Sequence, residues 1–333
     1  MPTVFSLPCR RVARAGIDLP VLGLGTRCLG NPSRAVSDQE AVGVLRHAFD
    51  LGMSYLDTAP HYGHGLSERR IGMVSAPVAI STQVGRVLPA VGTARHGFAD
   101  ADPRVPAFDY TYEGVMHSFA ASCRRLGRDR IDIVFAHDLG EMTHGVDLPL
   151  HFKAFMEGGY RALTELKASG QIRAIGLGVN DGQICRDVLS HADLDVVLLA
   201  GRYTLLEQGA LDTVLPECER RGVGVIVGGP FNSGALVDGN RHEYQPIAAP
   251  VTDRVAALKV VCRSHGVSIA AAALQFSLGH PNVVSVIPGM ASRGQVEANL
   301  MHVVHRIPDQ LWDDLKSLDL LRADAPTPKH IPA

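Results

Sequence analysis

The chain has 333 residues, 46% of them apolar and 20% charged, and a formal net charge of −2. That is enough apolar material for a large buried core, so global disorder is excluded. The near-neutral balance and the lack of a long basic run set aside nucleic acid and anionic membrane as partners.

The opening "MPTVFSLPCRRVARAG" is apolar too briefly for a secretory leader and turns basic afterwards, the reverse of the leader order. No uninterrupted apolar stretch reaches membrane-spanning length. The six cysteines (Cys9, Cys28, Cys123, Cys185, Cys218 and Cys262) include no CxxC pair and fall mostly in apolar patterns. Reduced, buried thiols and a cytoplasmic chain are the expectation.

In chain order, "CRRVARAGIDLPVLG" reads first, as a hairpin turning near "AGID" and placed to cap one end of the fold. Short apolar runs follow at 21–25, 54–57, 78–82, 131–137, 174–179, 196–200, 223–227 and 283–287. Many are rich in Val and Ile and lack polar alternation, the pattern of parallel strands buried on both faces. Between them, amphipathic stretches predict helices at 38–51, 66–74, 112–126, 159–169, 183–190, 210–221, 252–265 and 293–303. "SDQE" at 37–40 is a capping-box pattern. "FDLG", "RRLG", "KASG", "ERRG" and "RSHG" place Gly just past a helix, where the left-handed conformation costs it nothing.

Eight strand–helix units predict a single (β/α)8 barrel domain over 1–333. The rival, a doubly wound sheet, would want a GxGxxG after the first strand and a linker between two lobes; neither is present. Inserts at 88–110, 138–157 and 230–250 follow strand ends and should overhang the C-terminal face. The Pro-rich tail, about 322–333, reads as irregular.

Strand C-termini carry the active site of such a barrel. Asp57 ends the second run, Tyr62 follows in its loop, Gln83 ends the third and His137 ends the fourth. A phenol beside an imidazole can pass a proton to or from an alcohol, and a carboxylate can hold the network in register. Taken singly, Asp57 equally caps a turn, Tyr62 packs in a loop and His137 sits satisfied in a core. His61, His64, Asp138 and His144 read as rim or solvent residues. No HExxH or similar spacing argues for metal catalysis, and no Ser or Cys stands in a nucleophile elbow.

Together these segments are more specific. "LDTAPHYGHGLSERRIG" resembles the signature of the aldo-keto reductase family. "VLGLGTRCLG", "VAISTQVGR", "FAHD", "AIGLGVN" and "VVSVIPGMASRGQVEANL" resemble its other strand ends and cofactor helix. "HDLGEMTHG" and "VIVGGPFNSGAL" look closest to the bacterial branch of aldose 1-dehydrogenases, L-fucose dehydrogenase and pyridoxal 4-dehydrogenase. The resemblance implies NAD(P)-dependent hydride transfer with Asp57, Tyr62 and His137 catalytic. It implies Gly25 and Thr26 beside the nicotinamide, and Asn180 on its amide. Phe231, Ser233, Gly234 and Leu236 would lie along the pyrophosphate, and Asn299 at the adenine. Arg27, His61 and His137 would face a small-molecule sugar or aldehyde. The lone Trp312 near the C-terminus leaves no Trp-lined pocket, which favours a small polar substrate.

Two departures stand out. Gln83 occupies the place of the family's Lys, whose positive charge lowers the Tyr pKa. Either it is a substitution that traps a complex, or His137 serves as the main acid or base, or redox turnover is weak or lost. The last leaves a nicotinamide-binding protein, or a redox-neutral isomerase or lyase, as alternatives to a sugar dehydrogenase. The second departure is Gly289, Met290 and Gln295 where NADP-selective members carry Lys, Ser and Arg; NAD is the expected preference, with Arg293 and Ser292 still near a 2′-phosphate.

Overall fold

The computed structural model describes residues 5–32, 35–92, 94, 96–101, 103–237, 239–242 and 245–328. The chain enters through a hairpin, β1 (Cys9–Val12) and β2 (Ile17–Pro20), then reaches the two-residue β3 (Leu24–Gly25). Helix α1 (Asp38–Asp50) starts at Ser37, whose side chain and that of Glu40 form the expected capping box. Next come β4 (Tyr55–Asp57), α2 (Leu66–Gly72) and β5 (Ala79–Val84). An antiparallel pair, β6 (Arg86–Val91) and β7 (Arg104–Phe108), precedes α3 (Tyr112–Leu126) and β8 (Ile131–His137). Short helices α4 (Glu141–His144) and α5 (Leu148–Ala154) lead to α6 (Tyr160–Ala168), β9 (Ile172–Val179) and α7 (Gly182–Leu189). Then follow β10 (Val196–Ala200), α8 (Val214–Arg221) and β11 (Gly224–Gly228). A small pair, β12 (Arg241–His242) and β13 (Gln245–Pro246), precedes α9 (Ala249–Ser264), α10 (Ile269–Leu278) and β14 (Val283–Ile287). Helices α11 (Arg293–Val304) and α12 (Asp309–Ser317) complete the order.

Eight parallel strands form one sheet in the order β14-β11-β10-β9-β8-β5-β4-β3. Its two edges meet: Gly23 N–H donates to Val286 O at 2.9 Å, and Gly25 N–H to Pro288 O at 3.0 Å. Parallel bridges Leu22↔Val286 and Gly25↔Gly289 close the expected (β/α)8 barrel. The first apolar run is shorter as a ladder strand than its sequence suggests because part of it makes this closure instead. Tight seams at the closure need Gly: a Cβ on Gly25 would meet the Ile287 carbonyl at 2.9 Å.

The barrel interior holds Tyr55, Ile133, Phe135, Val196, Ile226 and Val284. Val12, Ile17 and Leu19 of the hairpin join this cluster, so the hairpin plugs the N-terminal end as expected. Arg10 holds it there, donating to Val283 O at 2.6 Å. A second, larger core lies between strands and helices.

Several expectations change. None of the three inserts is a plain loop: 88–110 carries most of the β6–β7 hairpin, 138–157 holds helices α4 and α5, and 230–250 holds the β12–β13 pair. Helix α10 was not expected: from Ala271 to Leu278 every residue is buried, so "AAALQFSL" shows no polar face to give a helical period. Nor was α12, which lies beyond the last barrel unit. The tail has no regular element over 322–328, and 329–333 lie outside the described residues. All six cysteines are unpaired, yet Cys9 is exposed, so burial holds for only part of the set. No single helix among the described residues is long and apolar enough to cross a membrane.

Candidate active site

Asp57 closes β4, Gln83 lies near the end of β5 and His137 closes β8, on three neighbouring parallel strands. Parallel strands deliver their C-terminal ends to one face, so these side chains meet there with Tyr62, from the turn after β4. The turn is fixed from behind by the rest of "LSERRIG". Arg70, buried in α2, donates to Leu29 O at 2.6 Å, Asn31 Oδ1 at 2.7 Å and Asp38 Oδ1 at 2.8 Å. Glu68 is fully buried and accepts from Thr82 Oγ1 at 2.7 Å and Arg125 Nε at 2.6 Å, tying α2 to β5 and α3.

Gln83 Nε2 stands between Asp57 and Tyr62, 3.4 Å from Asp57 Oδ2 and 3.5 Å from Tyr62 Oη. Its amide has two N–H groups, one for each partner. Gln83 Oε1 is buried with no hydrogen-bond partner. Gly178 opposite leaves room for it; a Cβ there would come within 3.0 Å of Oε1. The second carboxylate oxygen of Asp57 accepts from Ser81 Oγ at 2.6 Å, and Ser81 Oγ lies 2.9 Å from Tyr55 Oη inside the barrel. Burial raises Asp57 from 3.8 to about 7, while bonds from Ser81 and Gln83 pull the other way. A lysine at 83 would have given this carboxylate a cation; an amide leaves it to take up a proton instead.

A measurable consequence follows for stability. The folded-state pKa of Asp57 lies above its unfolded value, so its contribution is fully present below about pH 4 and is lost as pH rises through about 7. Within that window the stability of the parent relative to Asp57→Asn should fall by about 1.4 kcal/mol per pH unit, read from urea unfolding. A flat difference across the window would mean that Asp57 is already ionised in the fold.

His137 is held at its main chain and its ring. Tyr110 Oη donates to His137 O at 2.5 Å, and His137 Nε2 lies 3.3 Å from Asp138 Oδ2. Asp138 adopts φ 51°, which turns its side chain back toward His137, and it also takes a hydrogen bond from Arg86 Nη2. Burial pushes His137 down to about 4, although Asp138 opposes this. For Asp138 burial acts upward, but His137 and Arg86 prevail and hold its carboxyl below the usual value. The imidazole is therefore neutral near pH 7. Nδ1 is buried and has no hydrogen-bond partner, so Nε2 is the ring nitrogen left to meet a ligand.

The expected rim residues are corrected. Asp138 is in the network, not in solvent, while His64 and His144 are both buried. His61 stacks near His64 and meets the His137 ring at a centroid distance of 6.1 Å. Arg27 lies over the Phe98 ring at 5.1 Å, beside the same group. Among the described residues, His61, His64 and His96 form a group whose ring nitrogens lie within 4.8 Å of one another.

The cofactor half divides. Thr26 is buried and its hydroxyl donates to Asp57 O at 2.7 Å, so it braces the site. Asn180 follows β9; its main-chain oxygen accepts from Arg202 Nε at 2.8 Å and its amide lies 3.1 Å from Met142 Sδ. Phe231, Ser233, Gly234 and Leu236 fall in the loop after β11, where Ser233 and Gly234 have φ of 59° and 102°. The turn is closed from within, since the N–H groups of Gly234 and Leu236 both donate to Phe231 O, at 3.0 and 3.3 Å. At the mouth of β14, a Cβ on Gly289 would meet Cys28 Sγ at 2.9 Å. Gln295 does not project freely: its Oε1 accepts from Ala291 N–H at 2.6 Å and its own N–H donates to Ser292 Oγ. Arg293 runs along α1 at Gly43, and Asn299 is buried in α11.

Arg86, Ser81, Tyr110 and Asp138 were absent from the expected catalytic set. Asp138 was adjacent to a candidate and could have been found; the others approach only through folding.

A family model described as the aldo/keto reductase family matches residues 21–320. Pyridoxal 4-dehydrogenase of Microbacterium luteolum is 39% identical over 94% of this chain and 97% of its own. D-threo-aldose 1-dehydrogenase of a Pseudomonas species is 38% identical over 95% and 98%. The fold matches the holo form of an aldo-keto reductase of Bacillus halodurans with a TM-score of 0.75 at 22% identity, covering 96% of this chain and 98% of that one. With the barrel closed and the strand-end residues gathered at one mouth, the chain belongs to the aldo-keto reductase family and is an NAD(P)-dependent oxidoreductase.

Proposed function

We propose that the protein oxidises a free sugar at its anomeric carbon to the lactone, with NAD as the preferred cofactor. The observation that carries this reading is the Asp57–Gln83–Tyr62 contact beside a neutral His137, in a chain similar at 38% identity to an aldose 1-dehydrogenase.

The loop of Phe231, Ser233, Gly234 and Leu236 after β11 would lie along the pyrophosphate, and Gly25 leaves space where a side chain would strike the barrel seam. Bound NAD would supply the hydride acceptor. Tyr62 Oη takes the proton of the anomeric hydroxyl. Gln83 donates to that oxygen and stabilises its charged form through a dipole, a weaker aid than a full cation. His137 meets a substrate hydroxyl through Nε2, and the Asp138–Arg86 pair lies beside the ring. Arg27 and His61 line the substrate side of the mouth.

A pyridoxal-like aldehyde or hemiacetal is the second reading. Its support is the ring-walled corner of His61 and Phe98, with centroids 5.3 Å apart, and the 39% identity to a pyridoxal 4-dehydrogenase. A screen of aldoses and pyridoxal with NAD and NADP, followed at the reduced nicotinamide absorbance, separates the two. Failure of every aldose with turnover of pyridoxal would replace the first reading by the second. Binding of NAD without turnover of either would leave a nicotinamide-binding protein.

The cofactor preference has its own test. No Lys or Arg stands at Gly289 or Gln295, and Gln295 is engaged in capping α11. Calorimetric titration is expected to give NAD an affinity at least equal to that of NADP. Clear preference for NADP would mean that Arg293 or another cation holds the 2′-phosphate.

A further inference from the structure

The strongest unexplained feature is the group of three imidazoles formed by the turn after β4 and the β6–β7 connection. His61 and His64 come from the turn after β4, where Gly63, His64 and Gly65 have φ of 64°, 55° and 93°. This left-handed run folds the turn so that two imidazoles three residues apart share one side, with ring centroids 6.3 Å apart. His96 arrives from the other direction, from the connection between β6 and β7, and its centroid lies 5.8 Å from His61 and 5.3 Å from His64. Phe98 lies beneath, edge-on to His61. The segment is anchored by Ala99 N–H donating to Asn31 O at 2.8 Å and by the Pro32↔Phe98 bridge.

We propose that His61, His64 and His96 form a binding site for a divalent transition metal of the zinc class, which ties the β6–β7 connection to the turn after β4. All three offer ring nitrogens within 4.8 Å of one another. A tetrahedral ion with metal–nitrogen bonds of about 2.0–2.1 Å needs ligands about 3.4 Å apart, which rotation of exposed His96 toward the other two supplies. His61 Nδ1 is buried and has no hydrogen-bond partner. A neutral imidazole carries one nitrogen lone pair that can bind a metal. Three imidazoles are a borderline-soft donor set, suited to zinc, cobalt or nickel rather than calcium or magnesium. Three protein ligands also leave a fourth position open to water or a substrate hydroxyl. Arg27 and Arg86 repel a dication, which sets the affinity below that of a closed structural zinc site. The inference does not depend on the sugar-dehydrogenase reading.

The test is titration of chelator-treated full-length protein with Co(II), followed by visible absorption, and with Zn(II), followed by calorimetry, both without nicotinamide. The expected result is one equivalent bound, with intense tetrahedral-type Co(II) bands, and affinity at least about tenfold weaker in His96→Ala, as loss of one ligand of three demands. His96 is exposed, so this variant should fold, and circular dichroism checks it; His61→Ala should weaken binding likewise. His151→Ala is the control, because His144 and His151 form a separate pair with centroids 4.1 Å apart. No saturable binding would overturn the proposal. So would one-equivalent binding that survives His96→Ala, or that is lost in His151→Ala.

Discussion

Tyr62→Phe is expected to lower dehydrogenase turnover by about 10²–10⁴-fold, the range of a removed general acid or base. The reason is positional: Tyr62 Oη is the phenol within reach of Gln83, which also contacts Asp57. The companion variant is Gln83→Lys. A lysine there would place a cation beside Asp57 and pull that carboxyl down from about 7. In the parent, ionisation of Asp57 above about pH 7 adds a negative charge near the reacting oxygen. The turnover ratio of Gln83→Lys to parent should therefore exceed one and increase as pH passes about 7, and Tyr62→Phe should abolish the gain. Suppose the parent turns over well, Gln83→Lys is no faster on any substrate, and Tyr62→Phe keeps its rate. Proton transfer then belongs to His137, whose ring is already neutral and oriented by Asp138.

Glu68→Ala should destabilise the fold by about 3–5 kcal/mol, because it strands a charge in the interior. The Arg125 side chain is 9% exposed and Glu68 is fully buried, with Nε and Oε2 2.6 Å apart. Removing the carboxylate leaves the guanidinium without its counter-charge and takes from the Thr82 hydroxyl its acceptor Oε1, 2.7 Å away. Arg125→Met in the Glu68→Ala background should recover part of the loss, since the uncompensated charge is then gone. Urea unfolding of the parent and the single and double variants measures this cycle. A loss under about 1 kcal/mol for Glu68→Ala would place the pair among exposed ion pairs. The result bears on function as well, since α2 and its buried ion pair hold the turn that carries Tyr62.

Much of this molecule is written in local pattern. The Val- and Ile-rich runs became parallel strands, with 131–137, 196–200 and 283–287 ending where their composition indicated. "SDQE" became a capping box, and Gly127 and Gly222 ended helices at positive φ. These features depend on neighbours a few residues apart, so the sequence alone determined them. It also determined that Asp57, Tyr62, Gln83 and His137 would share one mouth, because a parallel barrel puts strand C-termini together whatever the side chains are.

Other features depend on chain segments distant in sequence. The barrel closes through Gly23 and Gly25 onto residues 286–289, so the length of the first strand was set by its closing partner. Helix α10 is buried on every side, and its composition carries no period to announce it. Arg86 reaches Asp138 across 52 positions, and this contact turned an assumed rim carboxylate into the orienting group of His137. His96 meets His61 and His64 only because the β6–β7 connection folds back over the turn after β4. Tertiary structure alone decided these, since burial and electrostatics act on distance in space and the sequence records only distance along the chain.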